Sequence, residues 1–434
     1  MSRHTVPRIA PLFLAAIAIA ALGAYAHFVW TRAINVPFHD DVIDVLDFLL
    51  RFESAGAAVD RLQLLFVQYN DHRTAASRII YLVLLKAQGH LDFRSLVALA
   101  NFSIPVIAVL HAASSARGVR LAALTLALLV LCQPRGRDFL VWGMSVLAFQ
   151  GTVVYGLAAL VALQRPSMLR FLMAGLASAA AMCSLSSGQL IWLAGCAQLA
   201  YAYRRNEPQA GRWLLAWIPV SLLALLLFHA GFLNRNPSER LLGFVLSTPL
   251  HHFQYFLVLL GSALSFETLR AGLAVGAGLM VALPWIVVRA LRQGQVVQAF
   301  FIAYLSLSIA VLALGRAPYS NLQYAMDPRY SVFSVNLLVC VSVIALAATV
   351  SWDRHRAMLF AAALSFFISS YYVFTPLADV ALKGRRAAYN GGNFWVFSYP
   401  IDHTNRIVGE AVRQGFYRPP PRPLPLLPAG GRSG

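Results

Sequence analysis

Charge is what this 434-residue sequence has least of. Only 12% of its residues are Asp, Glu, Lys or Arg, while 59% are hydrophobic; soluble domains carry roughly 25% charged residues. Water cannot be the main solvent for such a chain, and no stretch has the composition of a large soluble domain. Acidic residues are scarcer still, 17 against 35 Lys and Arg, for a formal net charge of +18. In a soluble protein that balance would raise nucleic acid as a partner. Here the basic residues are spread over many short loops, with no basic stripe and no DNA-binding motif, so nucleic acid is not expected. Cysteine is limited to Cys132, Cys183, Cys196 and Cys340, all inside or at the ends of apolar runs and none in a CxxC pair. They read as small buried hydrophobes. A soluble nucleotide-binding motif and a clean internal repeat of the kind many transporters carry are both missing.

What is there is a series of apolar runs of about 20 residues, the signature of membrane-crossing helices. They predict an all-α, polytopic membrane helix bundle with about eleven spans, near 10–30, 94–114, 119–133, 141–163, 169–184, 187–203, 212–231, 270–290, 297–315, 331–350 and 357–375. Several are short, so neighbouring pairs have a re-entrant reading as well. The basic start, Met1 to Arg8, resembles a secretory signal, and Ala24-Tyr25-Ala26 would serve as a cleavage site. The apolar run continues to Trp30, which favours an uncleaved first span. Arginines fix the orientation: Arg3 and Arg8, Arg117 and Arg120, Arg165 and Arg170, Arg204, Arg205 and Arg212, Arg289 and Arg292, and Arg354 and Arg356 fall on one side. By the positive-inside rule that side is the cytoplasm. The stretch Arg73 to Gly89 has an apolar core, Ile79 to Leu85, too short for a hydrocarbon layer of roughly 30 Å, so it reads as an interfacial helix. Counting it as a span would turn the arginine loops outward. His251 to Ser265 reads likewise as interfacial or re-entrant.

One membrane domain is therefore expected over 1–375, with an outer loop at 31–93 and an outer tail at 376–434. The tail is Pro-rich from Pro419 to Pro428 and expected to be disordered there. The other outer segments are Asn234 to Leu269, with Asn234-Arg235-Asn236-Pro237, and Gly315 to Tyr330.

The residues with chemical potential collect in the outer segments. The first loop opens Pro37-Phe38-His39-Asp40-Asp41, followed by Asp44 and Asp47. On a helix Asp40, Asp44 and Asp47 share one face, giving an amphipathic helix with an acidic stripe. Carboxylates this close repel, so at least one pKa rises unless a cation neutralises the cluster. A raised carboxylate suits a general base; a divalent cation, Mg or Mn, is the other way to settle it. The plainer reading is an acid-rich helix start favoured by the dipole, with Asp47 paired to Arg51. Further on, Gln68-Tyr69-Asn70-Asp71-His72-Arg73-Thr74 precedes the interfacial helix. Asn70 or Asp71 would make a good N-cap, which leaves His72 and Arg73 unexplained at the membrane surface. In the third outer segment Arg316 ends one span and Arg329-Tyr330 opens the next. An arginine at membrane depth usually has a partner, and its planar fork suits a lipid phosphate or pyrophosphate. The alternatives are snorkelling and a salt bridge to Asp327. Arg135-Gly136-Arg137-Asp138, covered by Trp142, and Ser184-Leu185-Ser186-Ser187-Gly188 read as cavity linings or simple turns, and His251-His252 as interfacial.

This layout resembles the GT-C class of integral membrane glycosyltransferases: a cytoplasmic basic terminus, a first span, then an outer loop opening with Asp-Asp. Asn70-Asp71-His72-Arg73 is similar to the Asn-Glu-His-Arg box of a group of bacterial membrane proteins that also carry a Gly-Arg element followed by Arg-Tyr, as Gly315-Arg316 and Arg329-Tyr330 do here. Asp71 departs from the box, one methylene shorter than Glu. The resemblance implies transfer of a sugar from a polyprenyl-phosphate donor to a glycan, lipid or protein acceptor at the outer face of a bacterial inner membrane. Asp40 or Asp41 would then be the base, with Asp44, Asn70, Asp71, His72, Arg73, Arg316, Arg329 and Tyr330 binding substrate. A glycan ligase or polymerase, a flippase of lipid-linked sugars and a non-catalytic scaffold are the rival readings. Transporters place polar residues near the middle of their spans, whereas these collect at one face.

Overall fold

A computed structural model of the protein describes residues 9–233, 238–348, 354–392 and 400–424. Arg3, Arg8, Asn234-Arg235-Asn236-Pro237 and the tail beyond Leu424 lie outside the described residues. The regular structure is helical apart from one hairpin, β1 (Gln68–Tyr69) with β2 (His72–Arg73), and an isolated bridge between Leu91 and Tyr417. The helices are α1 (Ile9–Arg32), α2 (Phe48–Ser54), α3 (Ala58–Phe66), α4 (Ala75–Gln88), α5 (Phe93–Asn101), α6 (Ser103–Ala113), α7 (Arg120–Leu131), α8 (Arg137–Leu140), α9 (Gly143–Leu163) and α10 (Met168–Met182). They continue with α11 (Leu190–Arg204), α12 (Ala210–His229), α13 (Ser238–Ser247), α14 (Pro249–Gly261), α15 (Leu269–Arg292), α16 (Val296–Arg316), α17 (Ser331–Ala348), α18 (Arg354–Asn390) and α19 (Ile401–Arg413).

Among the described residues nine helical stretches are long and apolar enough to cross a membrane. The chain is an all-α bundle of the multi-pass membrane type. The two expected spans that fall short are α10 and α11, 15 residues each, about 22 Å long at 1.5 Å per residue. They still form a hairpin that leaves the arginine-rich face and returns to it, so the count stays odd either way. The exposed surface is apolar where lipid would lie: on α12 Leu215, Leu226 and Leu227 are all more than 60% exposed. α17 is the opposite case, buried on nearly every face, with Phe333, Leu337 and Cys340 inaccessible. All four cysteines are free.

α1 is one continuous helix, and Ala24-Tyr25-Ala26 lies within it. Leu14, Ala18, Ala21, Tyr25 and Phe28 make its buried stripe, the spacing of one helical face. The Tyr25 hydroxyl donates to Asn101 Oδ1 at 2.5 Å, and Thr125 Oγ1 donates to the Leu14 carbonyl at 3.1 Å. α14 crosses α15 backbone to backbone. A Cβ on Gly276 would sit 1.9 Å from the Leu257 carbonyl oxygen, and one on Gly261 2.1 Å from that of Gly272. Only hydrogen fits at either crossing point.

Three local expectations are corrected. Asp41–Asp47 forms a π-helical turn running into α2, and it is not amphipathic: Val42, Val45 and Leu46 are buried together with Asp41 and Asp44. With more residues per turn than an α-helix, the acidic stripe breaks up. Neither Asn70 nor Asp71 caps α4; they are the two central residues of the β1–β2 hairpin, with Asn70 at φ 49°, the left-handed conformation that Asn tolerates. The last span does not stop at 375. α18 runs through Pro376 to Asn390, and the tail folds back on the first outer loop. There the Tyr417 hydroxyl donates to the Asn35 carbonyl at 2.8 Å, the Leu91 amide to the Phe416 carbonyl at 2.7 Å and Asn35 Nδ2 to the Arg418 carbonyl at 2.9 Å.

Candidate functional site

Asp44, Asp41 and Asp40 in the first loop have three different fates. Asp44 is fully buried; its Oδ1 accepts from Arg78 and from the Thr74 hydroxyl, both at 2.9 Å, and its Oδ2 from the Tyr81 hydroxyl at 3.4 Å. Burial pushes this carboxyl up to about 6, although Arg78 and Thr74 hold it down. It ties α4 to the loop and does not line a cavity. Asp41 is 2% exposed. Its Oδ2 accepts from the Phe38 amide at 3.0 Å and its Oδ1 from the Met144 amide at 3.2 Å. Met144 lies in the first turn of α9, so Asp41 satisfies an orphan donor at a helix start and meets the positive end of its dipole. Burial nevertheless pushes its carboxyl up to about 7. Asp40 alone reaches a cavity.

That cavity has a volume of about 450 Å³, and its polar lining is His39, Asp40, Asp138, Tyr324, Asp327 and Arg329, with Trp142 on one wall. Burial raises the Asp40 carboxyl above its ordinary range, while a hydrogen bond from Tyr69 and the charges of Arg329 and Arg316 pull it back. It is therefore a stronger base than a solvated carboxylate, with cations beside it. Burial, helped by Arg329 and Arg385, lowers His39 to about 4, so its imidazole is neutral at neutral pH.

Arg329 pairs with Asp327 at 3.3 Å, donates to the Tyr324 hydroxyl and lies over the rings of Tyr330, at 5.0 Å, and Trp142, at 5.7 Å. Burial opposes its charge, but Asp327 and the two tyrosines hold its pKa above the ordinary value. Tyr330 is 1% exposed, so it backs the guanidinium rather than facing the cavity. Tyr324 also borders a second cavity of about 370 Å³, lined by Arg316, Tyr319, Ser320 and Asn321. Among the described residues the Arg316 guanidinium has no hydrogen bond or ion pair. Its shape is fixed by the chain around it: the Ser320 hydroxyl donates to the Arg316 carbonyl at 2.8 Å, and His251 Nε2 donates to the Ala317 and Ser320 carbonyls, both at 3.1 Å.

The Asn70-to-Arg73 box is divided. Asn70 is exposed at the hairpin tip. His72 Nδ1 lies 2.9 Å from Ser186 Oγ and accepts from the Ser186 amide at 3.3 Å, and the Ser186 hydroxyl also meets the Asp71 carbonyl. Burial and then Arg316 lower His72 to about 4, so Arg316 lies within electrostatic reach of both His72 and Asp40. Arg73 is a structural clamp. Its guanidinium donates to the carbonyls of Phe66, Phe228 and Ala230 at 2.6, 2.9 and 2.6 Å.

The structure thus brings Asp40, Arg329, Arg316 and His72 to one face and spends Asp41, Asp44 and Arg73 on holding it together. Sequence reasoning missed His39 and Tyr69 as members of the site. Their only signal was adjacency, His39 to Asp40 and Tyr69 to the box. Among the described residues no group of three or more His, Cys, Asp or Glu is placed to hold a metal ion. Within the Asp40 cavity Arg329 pairs with Asp327 and its charge also acts on Asp40, while Asp138 feels Arg137 and Arg385. The fold and site define a class, a multi-pass membrane helix bundle with a polar, charge-paired cavity at the end of its spans opposite the arginine loops. No family model, curated protein or solved structure matches the chain.

Proposed function

We propose that the protein is a GT-C-like membrane glycosyltransferase, with eleven crossings when α10 and α11 are counted, that works at the outer face of a bacterial inner membrane. It would take a sugar from a polyprenyl-phosphate donor and pass it to an envelope glycan, lipid or protein. The observation that carries this reading is Asp40: one carboxylate of raised basicity on a cavity lined by Arg329, with Arg316 on the neighbouring cavity, and both arginines suit a phosphate leaving group. Asp40 takes the proton of the acceptor hydroxyl as that oxygen bonds to the anomeric carbon. The bond from that carbon to the phosphate oxygen breaks, and the charge released on the polyprenyl phosphate falls to Arg329 and Arg316. Attack in one step inverts the anomeric centre. His72, neutral and held by Ser186, positions a sugar hydroxyl.

The test is envelope glycan composition by mass spectrometry in a deletion strain complemented with wild type, Asp40→Asn or Arg316→Ala, each checked for normal membrane abundance. A sugar missing in the deletion and not restored by Asp40→Asn supports the transferase. Full restoration by Asp40→Asn overturns it in favour of a flippase or scaffold.

A further inference from the structure

A cavity larger than the one at Asp40 lies away from that face. A space of about 780 Å³ lies at the opposite end of α9, bounded by the α6–α7, α9–α10 and α15–α16 connections. α9 has 21 residues and so separates the two cavities by about 30 Å, one hydrocarbon thickness.

Four arginines line it, Arg117, Arg120, Arg165 and Arg170, and no Asp or Glu does. Two of them are tied down: Arg120 donates to the Ser115 and Ala113 carbonyls at 3.4 Å, and Arg170 to the Arg165 carbonyl at 3.2 Å. The guanidiniums of Arg117 and Arg165 have no hydrogen bond or ion pair among the described residues. Gln295, 6% exposed, also lines the cavity; its unpaired amide atom is Oε1, an acceptor, so it contributes nothing to holding an anion. Four like charges around one space repel unless an anion joins them. The inner wall is apolar, and Met173 on it is 54% exposed. It continues into the outward face of α10, where Leu169, Leu172 and Leu176 are 68%, 55% and 73% exposed. The cavity therefore opens sideways toward the bilayer as well as toward solvent.

We infer that this cavity is a second binding site, for a phosphate-bearing anion of up to lipid-headgroup size, held by Arg117 and Arg165. It is independent of the proposed transfer reaction. The chemistry is forked guanidinium pairing to phosphate oxygens, and the source is a phospholipid headgroup or a free phosphate.

The test uses the full chain in detergent, read by native mass spectrometry in two arms, one titrated with phosphatidylglycerol and the other with inorganic pyrophosphate. R117Q/R165Q is compared with R204Q/R205Q, which removes the same charge from the same face outside the cavity. The expected result is saturable one-to-one binding, weakened about tenfold or more in R117Q/R165Q, as loss of one charged hydrogen bond would give, and unchanged in R204Q/R205Q. Binding in the lipid arm alone assigns the site to a headgroup; binding of pyrophosphate assigns it to a free phosphate. Equal weakening in both variants, or no saturable binding in either arm, overturns the site.

Discussion

Arg78 and Asp44 form an ion pair at 2.9 Å with side chains 4% and 0% exposed. The Arg78 guanidinium also donates to the carbonyls of Leu64, Leu65 and Val67 at 3.0, 3.2 and 2.6 Å and lies 5.0 Å over the Phe48 ring. Arg78→Met keeps the bulk and removes every one of these bonds. It leaves Asp44 buried with only hydroxyl donors and strips three carbonyls at the end of α3. Breaking one side of a buried pair costs about 3–5 kcal/mol, and this pair belongs in that range. The sign of its pH dependence follows from Asp44, whose carboxyl titrates near 3.8 when solvated and at about 6 in the fold. The folded state binds the extra proton between those values, so this group's contribution is fully present below pH 3.8 and is lost as pH rises through 6. That amounts to about 3 kcal/mol at 1.36 kcal/mol per unit. Without Arg78 the folded carboxyl rises further, so the deficit of Arg78→Met is largest at pH 8 and shrinks at pH 5. Thermal unfolding of the purified chain in detergent at both pH values measures this. A variant as stable as wild type at pH 8, or a deficit that does not change with pH, would refute the assignment of Asp44 as the group left unpaired.

Asp40→Asn should abolish sugar transfer with an unchanged melting temperature, whereas Asp41→Asn should lower the melting temperature, since it weakens the acceptor of the first-turn amide of α9; the reverse pattern would exchange their roles. Arg329→Gln removes a charge that holds the Asp40 carboxyl down. The base is active when ionised, so the acid limb of the transfer rate should move to higher pH; an unmoved limb disconnects Arg329 from Asp40. Gly276→Ala places a methyl carbon 1.9 Å from a backbone oxygen that cannot swing away. It should cost about 1–3 kcal/mol by overpacking, while Gly278→Ala, with nothing within 4 Å, should not destabilise in the same melt.

Composition and the period of apolar runs were enough to read the bundle, because lipid imposes one constraint on every span. Ile79 to Leu85 was readable as a non-crossing helix for the same reason, and α4 is 14 residues long. The site was legible as a region rather than as roles. Asp40 and Asp41 are adjacent and identical in sequence, and only the tertiary partner of Asp41, an amide 103 residues away, tells them apart. Arg73 looked like a ligand because two of the three carbonyls it serves, those of Phe228 and Ala230 at the end of α12, are more than 150 residues on. The return of the tail onto Asn35 and Leu91 had no sequence signal, because each of its bonds ends on a backbone carbonyl, an acceptor any residue supplies.

The division between Asp40 and Asp41 originates in the residue before them. His39 has φ 49°, a left-handed conformation that costs a non-glycine residue about 1–2 kcal/mol. An extended residue there would alternate its neighbours regularly; the left-handed one lets Asp41 turn inward to two amides while Asp40 stays at the cavity. Something must hold that geometry, and it is aromatic. His39 lies 3.9 Å from the Phe38 ring and 4.9 Å from that of Trp142, and Phe38 meets Trp142 edge-on at 5.6 Å. Arg385 closes the stack from behind, 4.2 Å from the Phe38 ring, with its guanidinium donating to the carbonyls of Val36 and Val141 at 3.4 and 3.3 Å. The end of α18 beyond Pro376, where the sequence suggested only a tail, is thus what holds the Asp40 turn against the start of α9. A carboxylate whose direction depends on a strained turn is only as well aimed as the groups that clamp it, and here the clamp joins the first loop, the fourth apolar stretch and α18 into one site.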